Sequence, residues 1–118
     1  MKFAVTITTP EINTIIPVAL LSGTFNEKVQ KASALGFDGV ELMVTNPRQL
    51  NPEVIFQTIH TNDLEIAAIS TGALSFAEKL TLLSLDPTIE KNAFDRLIDL
   101  IDFAESVSAP LVTIGSFR

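Results

Sequence analysis

Cysteine, tryptophan and tyrosine are missing from these 118 residues, and histidine occurs once. Without cysteine there is no disulfide framework, no thiolate metal site and no thiol nucleophile. That fits a reducing compartment, and the chain reads as cytoplasmic. With His60 alone, a Ser-His-Asp or Cys-His arrangement has no support. His60 falls on a helix away from strand ends and reads as a solvated or capping residue. Positive charge is scarce: eight Lys and Arg stand against 14 Asp and Glu, a net charge of −6. The basic residues are scattered, which argues against a nucleic-acid backbone as the main partner. No apolar run approaches the roughly 18 residues that span a bilayer. Met1-Lys2-Phe3-Ala4-Val5 enters strand-like sequence without a signal-peptide layout. The five glycines make neither Gly-x-Gly-x-x-Gly nor Gly-x-x-x-x-Gly-Lys, so there is no phosphate loop.

What is present is enough apolar sequence for one core: 47% of the residues are hydrophobic, eight of them Phe. The length suits a single domain. Phe3 to Thr8 is short, β-branched and apolar, and predicts a first strand ended by Thr9-Pro10. Residues 11–23 show no period and read as a long loop. Thr24-Phe25-Asn26-Glu27 is a capping-box pattern. It opens a helix whose apolar stripe is Phe25, Val29, Ala32 and Leu35. A second strand follows at about 39–44. Asn51 before Pro52 is a cap-then-proline start for a second helix to His60, with Val54, Ile55 and Ile59 inward. Glu65 to Ser70 predicts a third strand, turning at Thr71-Gly72. Residues 73–85 read as loop with a short helical turn around Ala77 to Leu80. Asp86-Pro87 repeats the cap-then-proline start for the longest helix, to about Val107. Its inward residues are Ile89, Ala93, Leu97, Leu100, Ile101 and Ala104. Leu111 to Ile114 predicts a fourth strand. The order β-α-β-α-β-α-β, with right-handed crossovers, gives parallel strands. A βα unit returning every 30–40 residues or so is the signature of a (β/α) barrel.

The chain is organised around Gly36-Phe37-Asp38-Gly39-Val40-Glu41-Leu42. Gly36 suits a left-handed helix end, Asp38-Gly39 suits a turn, and Val40 to Val44 is a strand with one acid inside it. A carboxylate in an apolar strand must be paired, hydrogen-bonded or bound to something. Glu41 is therefore expected at the inner, C-terminal end of the sheet, accepting hydrogen bonds; the alternative is a solvated or ion-paired strand-end acid. Ligands of parallel α/β folds bind at the carboxyl ends of strands. That rule selects Thr8-Thr9, Glu41 and Met43, Ser70-Thr71-Gly72, and Gly115-Ser116 with Arg118. Hydroxyls and glycines there suit a polyhydroxylated ligand, though they also end strands for turn geometry alone. Asp95, Asp99 and Asp102 share helical spacing and read as the solvent face of the long helix rather than as metal ligands. A hard divalent cation wants several oxygen or nitrogen ligands, so the chain alone is not expected to hold one.

Leu35 to Leu42, Ile69-Ser70-Thr71-Gly72 and Pro110 to Ser116 resemble the xylose isomerase-like family of TIM barrels, described as sugar phosphate isomerases and epimerases. The endonuclease IV branch is a relative. Ala104 to Ala109 adds to the likeness, which spans nearly the whole chain but only the amino-terminal half of the family's barrel. The resemblance implies a single (β/α)4 half-barrel over residues 1–118, a fragment or shortened form of a full barrel. It implies an enzyme that moves a proton between neighbouring carbons of a sugar or sugar phosphate, with a divalent metal (Mn, Co, Mg or Zn) and a carboxylate base. Most metal-binding and catalytic residues of such enzymes lie on later strands. Glu41, Ser70, Thr71, Gly72, Gly115, Ser116 and Arg118 would then line the substrate side, and this chain alone would be inactive.

Four parallel strands cannot close a barrel. The first and fourth would be bare edges, and inward side chains such as Val5 or Ala4, Val40 or Leu42, Ala67 or Ile69, and Val112 or Ile114 would face solvent. The expected outcome is pairing, with a second copy or with a C-terminal half. Two other readings remain: a non-catalytic α/β module binding a polyol or a partner, and a small doubly wound α/β protein, which would need a fifth βα unit or a phosphate site.

Overall fold

The computed structural model describes all 118 residues as a four-stranded, wholly parallel sheet in the order β1-β2-β3-β4. The strands are β1 (Ala4–Thr8), β2 (Gly39–Met43), β3 (Glu65–Ser70) and β4 (Val112–Thr113). The helices are α1 (Phe25–Ala34), α2 (Pro52–His60), α3 (Ala73–Ala77) and α4 (Pro87–Ser106), with a 3-10 turn at Pro47–Gln49. This is a partial TIM-barrel-like α/β architecture, in which strand order follows chain order. Residues 73–85 differ from expectation: the short helix starts directly after Gly72 and is over by Ala77, earlier than Ala77 to Leu80. β4 is two residues long instead of four, because only Ile69 and Ser70 of β3 pair with it.

Local chemistry sets the element ends. Thr24 and Glu27 form both halves of the capping box on α1. Asn51 caps α2 through the N–H groups of Glu53 and Val54, and Asp86 caps α4 through that of Thr88. Both helices carry proline in the first turn, where no backbone donor is missed. α1 stops at Gly36, whose φ is +86°. The Gly36 N–H donates to the Ser33 carbonyl and that of Phe37 to the Ala32 carbonyl, the paired closure of a left-handed helix end. Gly39 starts β2 because a Cβ there would stand 2.7 Å from the Glu65 carbonyl oxygen. Asp38, between these glycines, accepts from the Phe3 N–H at 2.8 Å and ties the starts of β1 and β2 together.

Strand register sorts the side chains into two faces. Val5, Val40 and Ile66 lie in one row, and Ile7, Leu42, Ile69 and Val112 in another. Both rows join the main core with Val29 and Ala32 of α1, Ile55 and Ile59 of α2, and Ala93, Leu100, Phe103 and Ala104 of α4. A register shift beside Val40 and Glu41 leaves Ala67 unpaired and keeps Ile66 and Ile69 on the same face. The opposite face carries Thr6, Glu41 and Ala68, then Met43, Ser70 and Thr113.

Of the residues expected to face solvent, Ala4, Ala67 and Ile114 do, rather than Val5, Ile69 and Val112, and in β2 both Val40 and Leu42 are buried, which corrects the expectation there. Val5, Val40, Leu42, Ile69 and Val112 lie under the helices, and the inner face mixes Thr6, Glu41, Ser70 and Thr113 with Ala68 and Met43. Three stripe residues also point outward: Leu35 (65% exposed), Val54 (57%) and Ile101 (48%). Leu35 sits at the turn that ends α1, where the helical stripe no longer aims inward. Phe103, Val107 and Phe117 fill the core instead. No helix is long and apolar enough to cross a membrane.

Candidate functional site

The carboxyl ends of β3 and β4 bring together most of the residues singled out by sequence. Ser70 closes β3 and is 6% exposed; Thr71 is fully buried. The Thr71 hydroxyl donates to the Thr113 carbonyl at 2.7 Å and so bridges the two strands beyond their short ladder. Ser116 donates to the Gly72 carbonyl at 3.2 Å and accepts from Ser75 at 3.2 Å. Gly72 in turn donates its N–H to the Ser70 hydroxyl at 3.4 Å. These groups form a neutral network satisfied within itself. Gly115 is exposed and accepts from the Arg118 N–H at 3.3 Å. Arg118 is exposed and joins this rim through its backbone, its carbonyl accepting from Leu83 at 2.9 Å.

Glu41 lies apart from that network. It stands in the middle of β2, two residues before the strand end, in register with Thr6 and Ala68. The inner-face placement agrees with expectation; the position at the strand end does not. Its carboxylate enters none of the four ion pairs. It also receives no hydrogen bond of the kind expected. The inner face is open enough to leave it half-buried, so water supplies what a closed site would have to supply from protein.

The ends of β1 and β2 carry charge that the sequence reading passed over. Glu11, in the loop after β1, accepts from the Thr45 N–H at 3.0 Å, the Asn46 N–H at 3.1 Å and the Thr45 hydroxyl at 3.4 Å. The Thr9 hydroxyl, fully buried, also reaches the Glu11 carboxylate and lies 3.1 Å from the Met43 carbonyl. Glu11 therefore clamps the exit of β1 to the exit of β2. A signal was present: Glu11 is the only charged residue between Thr9 and Gly23. Arg96, from α4, donates to the Thr45 carbonyl and pairs with Glu78 after α3. The loop after β1 folds over this end, where Ile16 packs with Met43 and Ala73.

Lys28 is the second charged group at the exit of β1. It rises from α1, and its ammonium donates to the Thr8 hydroxyl at 2.6 Å and more weakly to the Thr8 carbonyl at 3.5 Å. Burial pushes its pKa below the usual lysine value. It borders a cleft of ≈ 260 Å³ between α1 and the loop 12–23. A larger cavity, ≈ 470 Å³, lies at the other end of the sheet between the ends of α2 and α4. His60 lines that cavity and stacks on Phe56, with ring centroids 5.3 Å apart. In parallel α/β folds that end of the sheet serves packing, not ligands.

No group of three or more His, Asp or Glu side chains converges anywhere in the chain. Asp99 is taken by Arg48 through bonds of 2.8 and 3.2 Å, which raise the Arg48 pKa, and Asp95 is taken by Lys91 at 2.7 Å. Glu11 is already saturated with donors, so the residues present do not fit a divalent ion by themselves.

No protein-family model matches the sequence, and no curated protein matches it. Among solved structures, the crystal structure of an AP endonuclease, family 2, from Brucella melitensis matches with a TM-score of 0.60 at 17% identity. The match covers 95% of this chain and 40% of that one. The likeness is one of fold alone, and this chain spans less than half the length of that one.

Proposed function

We propose that this chain supplies the substrate-side part of a sugar or sugar-phosphate isomerase or epimerase built on a TIM barrel. The observation that carries the reading is the line of hydroxyl and backbone groups along the carboxyl ends of four parallel strands, beside an inner face on which Thr6, Glu41, Ser70 and Thr113 stand among Ala68 and Met43. Ser116 and the backbone of Gly115, both exposed, with the half-buried Gly72 beside them, suit a ligand rich in hydroxyls, on a rim that Thr9, Ser70 and Thr71 hold in place from beneath. Glu41 and Arg118 would complete that lining. A divalent metal (Mn, Co, Mg or Zn) would polarise the substrate's carbonyl and hydroxyl. Its ligands and the proton-transferring base would come from later strands, since this chain offers no ligand set of its own.

Those strands would be contributed by a C-terminal half or by a second copy. The edges favour this. β4 carries a groove of ≈ 490 Å³ along Leu97, Ile101, Leu111 and Ile114, and Leu111 and Ile114 are about half exposed. An apolar edge of that kind is where a following βα unit sits. Sedimentation at several concentrations should show a dimer or larger species at about 100 µM, the midpoint of a weak-to-moderate interface. A monomer that unfolds cooperatively and binds no apolar dye would contradict the pairing.

The functional test is a panel of free sugars and sugar phosphates, followed by NMR for binding and, in D2O with manganese, for deuterium entering carbon-bound positions. The chain should bind a member of the panel below about 10 mM, without exchange by itself, and exchange should appear with a complementary half. Binding without exchange in the assembled barrel would support a polyol-binding module. The endonuclease likeness supplies the remaining reading; it is opposed by the net charge of −6. Cleavage of DNA containing abasic sites would overturn the sugar reading.

A further inference from the structure

We infer that the cleft between α1 and the loop after β1 is an anion subsite, with Lys28 at its centre, for the phosphate or carboxylate of a small substrate. The inference rests on the reading that the carboxyl ends of the strands are the substrate side.

Lys28 is a half-buried cation without a counter-charge. Its partners are the hydroxyl and carbonyl oxygens of Thr8, both neutral. The ion pairs of the chain use Lys2, Arg48, Lys91 and Arg96. Acids outnumber bases 14 to 8, so the composition offers carboxylates in excess, yet none is placed against this ammonium. The adjacent acid, Glu27, is committed to the capping box with Thr24. Arg96, the comparable cation on the other side of the rim, is paired with Glu78. A charge withdrawn from water normally has a partner, and at Lys28 the space beside it is open.

That space has the size and lining of a small polar subsite. Its volume of ≈ 260 Å³ exceeds that of several waters, each taking about 30 Å³. Asn13, Thr14 and Ser22 line it with Lys28, as do the apolar side chains of Ile12 and Ile16. Lys31 lies one turn further along α1, donates to the Ser22 carbonyl at 2.7 Å and holds the loop against the helix. Its charge adds to that of Lys28 on the same helical face. Burial already lowers the Lys28 pKa, and a bound anion would reverse that by supplying the missing charge.

The test is an amide NMR titration of the full chain with inorganic phosphate at fixed ionic strength, with acetate as the carboxylate arm and chloride as the control. The amides of Thr8, Asn13 and Ser22 should shift saturably with a Kd of roughly 1–10 mM for at least one of the two anions. Lys28→Met should weaken binding by about tenfold or more, and Lys28→Arg should retain most of it. Lys91→Met, on the far face of α4, should change nothing. Should Lys28→Met fail to fold, reductive methylation of the wild-type chain gives the same answer. The anion that binds should then slow modification of Lys28 selectively over Lys91. Absence of saturation by either anion, equal affinity in Lys28→Met, or equal slowing at both lysines would overturn the subsite. Sugar turnover plays no part in these readouts, so the isomerase reading can fail while the subsite stands, and the reverse.

Discussion

The two faces of this sheet obey different rules. On the helix side, Ile7, Val40, Leu42 and Ile69 are fully buried and meet four helices. On the inner side, the same strands present Thr6, Glu41 and Ala68 in one row, and Met43, Ser70 and Thr113 in the next. The first face holds the fold together through apolar burial, worth about 1.5–3 kcal/mol for each large side chain. The second contributes little by that route, so its residue types are free to answer to something else. The C-terminal rim repeats the contrast in miniature. The exits of β3 and β4 are stapled by neutral hydroxyls, whereas the exits of β1 and β2 carry Glu11 with all its donors and Lys28 with no acid.

The contrast is broken most severely at Leu42. Leu42→Ala should cost about 3 kcal/mol, the usual loss for an aliphatic side chain deleted from a packed core, while Glu41→Gln next to it should stay within about 0.5 kcal/mol. Urea denaturation of the two variants measures both; equal losses would mean that the inner face is as structural as the outer. On the rim, Glu11→Ala should cost about 2 kcal/mol, because it strands the N–H groups of Thr45 and Asn46. Thr71→Val should cost about 1 kcal/mol by removing the bond to the Thr113 carbonyl, and amide exchange should quicken in β4 before it does in β2.

Lys28→Met should give the smallest shift in stability on the rim, within about 1 kcal/mol, though it should weaken anion binding about tenfold or more. Its sharper signature is in pH. The folded-state pKa of Lys28 lies below the ordinary lysine value of 10.5, so the unfolded chain binds more protons in that interval. Wild-type stability should therefore gain a rising component with pH between the lowered folded value and 10.5. Lys28→Met should lack that component, as seen by comparing the two melting curves across alkaline pH.

Much of this architecture was legible because each element end carries its own chemistry. Thr24 and Glu27, Asn51-Pro52 and Asp86-Pro87 fixed three helix starts to the residue, and Gly36 fixed a helix stop. Inward and outward along the strands was harder. A buried parallel strand is apolar on both sides in sequence, so Val40-Glu41-Leu42 identifies one odd residue but not the side on which water lies. The unpaired Ala67 hides the alternation in β3 as well. On the rim, hydroxyls were found because they sit at strand ends. Glu11 and Lys28 were missed because they belong to a loop and a helix, and only the fold of the 12–23 segment brings them to the exit of β1.

The central claim is that the inner face and carboxyl rim, and no other part of this chain, are the ligand side. Amide NMR with ribose 5-phosphate as the probe tests it directly, since the probe carries both a polyol and a phosphate. Shifts confined to Thr8, Thr9, Asn13, Ser22, Glu41, Ser70, Thr71 and Gly115 are the predicted result. Shifts centred on Phe56, His60 and Ala67, around the cavity at the opposite end of the sheet, would contradict it.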